Sequence, residues 1–287
     1  MIAVSQDDES QKRSVFEWKD IFVSSLGISL NRITDRVTPD ILQSMVDSRV
    51  KTMELTTKFW KTLDSDEKRM LLHSSIRVFS IHAQFGEGYD FSSLDEDEYL
   101  SGISNALESI ELARYFNAEM VVFHSSSEPV FESERASRIE QLKKALEYLS
   151  RESAKTGTKI AVEFLPRDCI GNNVDELIDI IAEFDPEIVG VCLDTNHLMG
   201  DYRNLPHIVE KLGKHLFTLH ISDYGGVDEQ HLLAGQGVVD WEMFIEALRK
   251  IGYVGPFNYE CNFEIPGALR RIEIIQTNFK WICSLLS

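Results

Sequence analysis

The chain has few cysteines and no pattern among them. The four, Cys169, Cys192, Cys261 and Cys283, include no C-x-x-C pair. Two fall in apolar strand-like runs, so they read as small buried hydrophobes in a reducing compartment rather than as a disulfide set or thiolate metal ligands. Clustered Lys and Arg are also lacking. Against 29 basic residues stand 47 acidic ones, a net charge of −18, which promotes solubility and disfavours nucleic acid or another polyanion as partner. No run approaches the ~20 apolar residues needed to cross a bilayer. The first residues, MIAVSQDDESQKRS, have neither a basic head nor an apolar stretch of signal length. A soluble, cytoplasmic protein without a membrane partner is expected. The Gly-x-Gly-x-x-Gly turn that follows the first strand of a doubly wound nucleotide-binding sheet is absent too.

What is present is an ordinary globular composition, 43% hydrophobic in 287 residues, enough for two average domains or one large α/β barrel. Residues 1–19 are polar and acidic and read as an N-terminal extension. Eight apolar strand-like runs then follow at 21–27, 50–55, 78–83, 120–124, 159–163, 189–194, 216–221 and 256–260. Between them lie helical stripes: Leu100, Ile103, Leu107 and Ile110; Ile139, Leu142, Leu146 and Leu149; Phe244, Leu248 and Ile251; Leu269, Ile272, Phe279, Ile282 and Leu286. Thr38 before Pro39, Asn173 with Glu176, and Gly157 mark helix ends. Alternation without a linker or low-complexity stretch predicts a single (β/α)₈ TIM barrel over residues 20–287.

The strand ends of such a barrel form its active rim. Read in order from the third strand they are His82, His124, Glu163, Asp194, His220 and Glu260. Side chains alternate faces along a strand. The positions sharing parity with these ends are small or polar: Ala161, Cys192, Gly190, Thr218 and Asn258. The opposite parity is apolar: Ile160, Val162, Val191, Leu193, Phe217, Leu219, Phe257 and Tyr259. All six candidates therefore face the barrel axis. Several carboxylates converging there would repel one another, and a divalent cation is the natural compensation. Glu163, Asp194, His220 and Glu260 make a mixed oxygen and nitrogen set suited to one Mn²⁺, Co²⁺, Zn²⁺ or Mg²⁺.

VEF at 162–164, CLDTNH at 192–197, LHISD at 219–223, HLLAGQGVVDW at 231–241 and NYE at 258–260 together resemble the xylose isomerase-like barrel superfamily. The likeness is to its sugar (phosphate) isomerase/epimerase branch, kin to ketose 3-epimerases, inosose-handling enzymes and endonuclease IV. The resemblance implies that Glu163, Asp194, His220 and Glu260 hold the divalent metal. It also implies that Glu163 and Glu260 act as acid and base on a small sugar through a cis-enediolate, and that His197 contacts the substrate. His82, His124 and His231 join His197 on the substrate side. The endonuclease IV kinship implies an alternative, a three-zinc phosphodiesterase acting on abasic DNA, in which these histidines would be ligands and Glu229 would stand at the position of an aspartate. Two departures from the family pattern stand out. Ala234-Gly235-Gln236-Gly237 replaces the usual Pro-Gly-Glu-Gly, and Gly226 stands where ketose 3-epimerases carry an arginine.

Arg167 in FLPR is suited either to gripping a substrate phosphate or carboxylate or to an ordinary salt bridge. Asp223 is suited either to orienting His220 or to hydrogen bonding within its loop. Glu87 and Tyr89, in GEGYD, belong to a turn that also offers a pocket wall. His73, His207 and His215 lie away from the rim and read as structural. A homo-oligomer is compatible with all of this.

Overall fold

The computed structural model describes residues 25–285. Eight parallel strands close into a barrel in chain order: β1 (Leu26–Ser29), β2 (Thr52–Thr56), β3 (Arg77–His82), β4 (Met120–Phe123), β5 (Lys159–Glu163), β6 (Val189–Asp194), β7 (Leu216–Ile221) and β8 (Phe257–Tyr259). β8 pairs back onto β1. The connections carry α1 (Leu30–Ile33), α2 (Pro39–Asp47), α3 (Thr57–Thr62), α4 (Ser65–Leu72), α5 (Glu96–Phe116), α6 (Glu132–Thr156), α7 (Val174–Ile181), α8 (Leu205–Leu212) and α9 (Trp241–Ile251), and α10 (Ala268–Ser284) follows β8. This is the (β/α)₈ barrel that the rhythm of the sequence predicts. The polar extension at 1–19, residues 20–24 and Leu286 lie outside the described residues. No described helix is long and apolar enough to cross a membrane.

Local chemistry explains the helix ends. Thr38 accepts from the Ile41 amide at 3.3 Å, and Gly157 closes α6 in the left-handed region at φ 73°, where a side chain would be strained. Asn173 caps α7 through the Glu176 amide at 2.9 Å. The Glu176 carboxylate turns instead to Arg135 and the Gly171 amide, so only half of the expected capping box forms. In α6 Leu142, Leu146 and Leu149 are fully buried, each contributing about 1.5–3 kcal/mol through apolar burial. The α5 stripe departs from expectation at one position. Leu100 is 55% exposed, whereas Ile110 is buried and Ile103 and Leu107 pack against the core. Small residues, Gly102, Ala106, Ser109 and Ala113, share the buried face with Ile110 and Leu112. A side chain at Gly102 would come within 2.6 Å of the Phe91 amide nitrogen. Close backbone approach at these small residues seats the helix together with its apolar stripe.

The alternation of strand faces holds with one correction. Ile160, Val162, Val191, Leu193, Leu219, Phe257 and Tyr259 are buried in the large core shared with the helices. Phe217, expected among them, instead packs with Met120, Val122, Ala161 and Cys192 on the barrel axis. The β6–β7 register steps from Val191↔Leu216 to Cys192↔Thr218, a bulge that takes Phe217 out of the alternation. Its ring occupies the space left by Gly190, where a Cβ would lie 2.6 Å away. The first strand also runs later than the apolar stretch at 21–27 suggests. Gly27 in β1 pairs with Thr52, and a Cβ there would stand 2.7 Å from Thr52 Oγ1. That later register brings Arg32, on α1, to the barrel rim.

Candidate metal centre

The six strand-end candidates converge. His82, Glu163 and Asp194 close β3, β5 and β6, His220 stands one residue before the end of β7, and His124 and Glu260 directly follow β4 and β8. Pairing of Asp194 with His220 fixes the heights of their side chains across β6 and β7. With Arg32, Phe85, His197, Glu229 and His231, five of them, His82, His124, Glu163, Asp194 and Glu260, surround a cavity of about 200 Å³ at the C-terminal mouth of the barrel. His220 is fully buried and reaches the cup through its contacts with Glu163 and Glu260. Phe85 stacks on His124, ring centroids 3.9 Å apart, and forms an apolar wall over the cup.

The contacts form one network. Glu163 Oε2 stands 3.1 Å from the Nε2 atoms of both His82 and His124, and its Oε1 3.1 Å from His220 Nδ1. The same Nδ1 is 2.9 Å from Glu260 Oε2, and Glu260 Oε1 accepts from Arg32 Nε and Nη2 at 3.1 and 2.8 Å. His197 Nδ1 lies 2.9 Å from the Phe164 carbonyl and Nε2 3.1 Å from Glu229 Oε1. Asp194 Oδ1 accepts from the Asn196 amide at 2.7 Å. Asp194 Oδ2 has no hydrogen-bond partner although it is buried.

Burial and charge oppose each other at Glu163, Glu260, His82, His124 and His197. Burial alone would raise the Glu163 carboxyl, but the imidazoles of His220 and His124 hold it well below the usual carboxylate range. Burial would likewise raise Glu260, which His220 and Arg32 bring well below that range. Burial disfavours the His197 imidazolium, yet Asp194 and Glu229 raise it to about 10; Glu163 similarly raises His82 to about 9 against burial. His124 goes the other way, lowered by burial. The Glu163 and Glu260 carboxylates are thus kept anionic by neighbouring imidazoles and by Arg32, a demand for positive charge that a cation also meets.

The residues fit a metal. Asp194 Oδ2 faces His197 Nε2 at 3.7 Å, His220 Nδ1 at 3.9 Å and His231 Nδ1 at 4.0 Å. These separations are too long for hydrogen bonds and only slightly beyond the ~3–3.5 Å between neighbouring donors on one ion with bonds of ~2.0–2.2 Å. Glu163, Asp194, His220 and Glu260 can bring one donor atom each within 4.8 Å of the others. So can two further groups, His82–Glu163–His220 and Asp194–His197–His231. An acceptor-only carboxylate oxygen left without a donor in a dry site costs about 1–3 kcal/mol or more, and a cation removes that cost.

Where the sequence left two readings open, the structure separates them. Arg167 does not present a free fork. Its Nε, Nη1 and Nη2 atoms meet Glu128, Asp228 and Glu229 at 2.7, 3.2 and 2.6 Å, so it serves as a salt bridge hub in a second cavity of about 240 Å³ that shares Phe85, His124, His197 and Glu229 with the first. Asp223 does not touch His220. It accepts from the Gly235 and Val239 amides and from Trp241 Nε1 at 2.7, 3.1 and 2.8 Å, organising the loop that carries His231. Glu87 does line the second cavity, in a turn closed by the Tyr89 amide and Gly86 carbonyl. Arg32, Glu54, Phe85 and the pairing of Glu229 with His197 escape sequence reading. Glu54 alone left a signal: an acid inside an otherwise buried strand needs a partner.

Comparison with known proteins agrees with the barrel fold. An inosose isomerase from Bacillus velezensis is 28% identical over 174 residues, 57% of this chain and 60% of that one. A D-psicose 3-epimerase from Clostridium cellulolyticum H10, solved with D-tagatose, superposes with a TM-score of 0.76 at 16% identity, over 92% of this chain and 99% of the other. The IolI protein, solved with a bound zinc atom, gives 0.74 at 19% identity over 91% and 98%. The model of the xylose isomerase-like TIM barrel family matches residues 50–285, and the chain therefore belongs to that family.

Proposed function

We propose that the protein is a divalent-metal-dependent isomerase or epimerase of a sugar or sugar derivative. The observation that carries this reading is Asp194 Oδ2, buried without a donor and facing three ring nitrogens, between the two carboxylates of Glu163 and Glu260. These four side chains, with His220 as the nitrogen donor, would hold the metal. When bound, the ion supplies a Lewis acid that polarises a ketone and the hydroxyl beside it. The names of the relatives, inosose isomerase and D-psicose 3-epimerase, support the same class.

The rest of the chemistry falls to the chain's own groups. Removing the proton from the carbon next to a ketone leaves a cis-enediolate, and a carboxylate within reach takes that proton. Glu163 and Glu260 both line the cup and both are held anionic, so either is competent as the base. The carboxyl that has taken the proton can return it to the neighbouring carbon in an isomerisation, whereas epimerisation requires the opposite carboxylate first to take up a proton from solvent or a neighbouring imidazolium. Arg32 fixes the Glu260 carboxylate from outside. His82 and His124 converge on Glu163 Oε2 and set its direction. His197 and His231 line the same cup and are placed to meet substrate hydroxyls, while Phe85 and its stacked His124 keep water from one side.

The test is exchange of solvent deuterium into ketoses by protein loaded with Mn²⁺, Co²⁺ or Zn²⁺. Glu260→Gln is expected to abolish exchange while the fold is retained. A metal-free barrel that ignores all three ions, with no exchange into any ketose, retires the reading. A second reading, a phosphodiesterase using three zinc ions, is favoured by the overlapping donor groups around Asp194 and Glu163. It predicts about three metals per chain instead of about one, with nicking of abasic duplex. The carboxylates around Arg167 repel a nucleic-acid backbone, which favours the sugar.

A further inference from the structure

The ring nitrogens of His220 face opposite ways. Nδ1 looks into the Glu163, Asp194 and Glu260 carboxylates, and Nε2 looks across the barrel to Glu54 Oε2 at 3.2 Å. Glu54 lies in β2, 1% exposed, and belongs to none of the three donor groups. Its neighbours explain how a carboxylate survives there. Ser80 Oγ donates to Oε2 at 2.8 Å, and Ser29 Oγ, which also reaches Asn31 Oδ1, lies 3.2 Å from Oε1. The three are paired residues on adjoining strands, Ser29↔Glu54 and Glu54↔Ser80. A register step between Met53 and Glu54 skips Phe79, so the residue beside Glu54 is a serine, not a phenylalanine. The inner faces of β1, β2 and β3 thus form a polar shelf whose outstretched member meets a histidine on β7.

Resting on the metal-dependent reading above, we propose that Glu54 is the positioning residue of the metal centre: it accepts the Nε2 proton of His220 and so aims the Nδ1 lone pair at the carboxylates that would share the ion. A histidine ligand fixed by a carboxylate on its far nitrogen has one tautomer available and one ring orientation, and is a better donor than a free imidazole. Glu54 touches neither the cavity nor the reacting atoms. Its direct contact with the centre is the one to His220 Nε2; its charge also raises the His82 imidazole.

Glu54→Gln tests this, because it keeps the shape and removes the charge. If the amide oxygen faces His220, the bond to Nε2–H weakens. If the amide nitrogen faces it, the imidazole proton is driven to Nδ1, onto the metal side. Zinc affinity, measured by competition with a chromophoric chelator after stripping, is expected to fall about 10–100-fold, with unchanged circular dichroism. In ¹⁵N-histidine spectra of the zinc-loaded proteins, the His220 Nε2–H signal, assigned by its loss in His220→Asn, is expected to shift, which a merely structural role for Glu54 would not cause. A folded Glu54→Gln that binds zinc as the wild type does, with that signal unmoved, overturns the proposal. Ser80→Ala removes only one donor to Glu54 and decides the matter if Glu54→Gln does not fold: a smaller loss of zinc affinity supports the proposal and none overturns it. Failure of the metal reading is distinguishable, since it shows as no zinc uptake by the wild-type chain.

Discussion

Arg32 grips Glu260 through two nitrogens on one oxygen, Nε at 3.1 Å and Nη2 at 2.8 Å from Oε1. Its remaining nitrogen, Nη1, is 2.9 Å from Asn262 Oδ1. The arginine therefore does not offer itself to a substrate; it fixes the carboxylate that opposes Glu163 across the cup. A lysine keeps the charge and loses the planar fork. Arg32→Lys is expected to lower the rate of deuterium exchange by about 10–100-fold, since a displacement of ~1 Å in a reacting group costs that much. KM should change little. Saturation kinetics on one accepted ketose separate the two, and a variant that loses only KM assigns Arg32 to substrate binding instead.

Stability has its own buried carboxylate. Glu67, 3% exposed, accepts from the Val37 and Asp64 amides and from Arg36 Nε at 2.9, 2.9 and 2.7 Å, tying the loop after α1 to the start of α4. Burial raises this carboxyl, but Arg36 and the two amides outweigh burial and bring it from 4.5 to about 2. A carboxyl depressed in the folded state stabilises fully above its unfolded value and loses that contribution as pH falls through the folded one. Glu67→Gln should therefore unfold at lower urea than the wild type at pH 7, with the gap closing between pH 4.5 and 2. A gap that stays constant over that window would show that the ionised form is not what stabilises the loop.

The barrel and the convergence of its strand-end side chains were legible because both depend on strict two-residue alternation. Where the alternation breaks, legibility ends. Nothing in Leu216, Phe217 and Thr218 announces the bulge that turns Phe217 inward, because a bulge is settled by neighbouring strands. Arg32 was hidden by strand register: with the first strand placed at 21–27, position 32 falls in a connector, whereas β1 ends at Ser29 and sets Arg32 at the rim. Glu54 is not a strand end and was passed over beside Thr56. Arg167 was read for its charge, and only tertiary contact reveals that three carboxylates from two other loops already occupy it.

Protons on the histidines make metal binding pH-dependent with a definite sign. His82 and His197 are raised to about 9 and about 10 by the carboxylates they face, so at pH 7 the metal-free protein carries imidazolium charge in the cup. A cation binding there competes with those protons. Zinc binding at pH 7 is expected to release protons, and affinity should rise as pH climbs toward 9. Calorimetry in two buffers of different ionisation enthalpy reads the protons directly; equal heats in both would mean that the ion displaces none.

Arg167 bears on whether the sugar carries a phosphate. Each of its three nitrogens meets a carboxylate, from Glu128, Asp228 and Glu229, and Arg32 pairs with Glu260. No other lysine or arginine lines either cavity among the described residues, while Glu87 adds a further acid to the outer one. Opening the Arg167 hub for a dianion would strand several carboxylates beside it, and like charges so placed cost several kcal/mol. An unphosphorylated ketose should therefore be turned over with a kcat/KM at least about tenfold above that of its phosphate ester, a difference of about 1.4 kcal/mol. Matched pairs of ketose and ketose phosphate, assayed by deuterium exchange at one metal concentration, give the ratio. Preference for the phosphate would mean that Arg167 abandons its carboxylates when substrate arrives, and Arg167→Ala would then erase that preference.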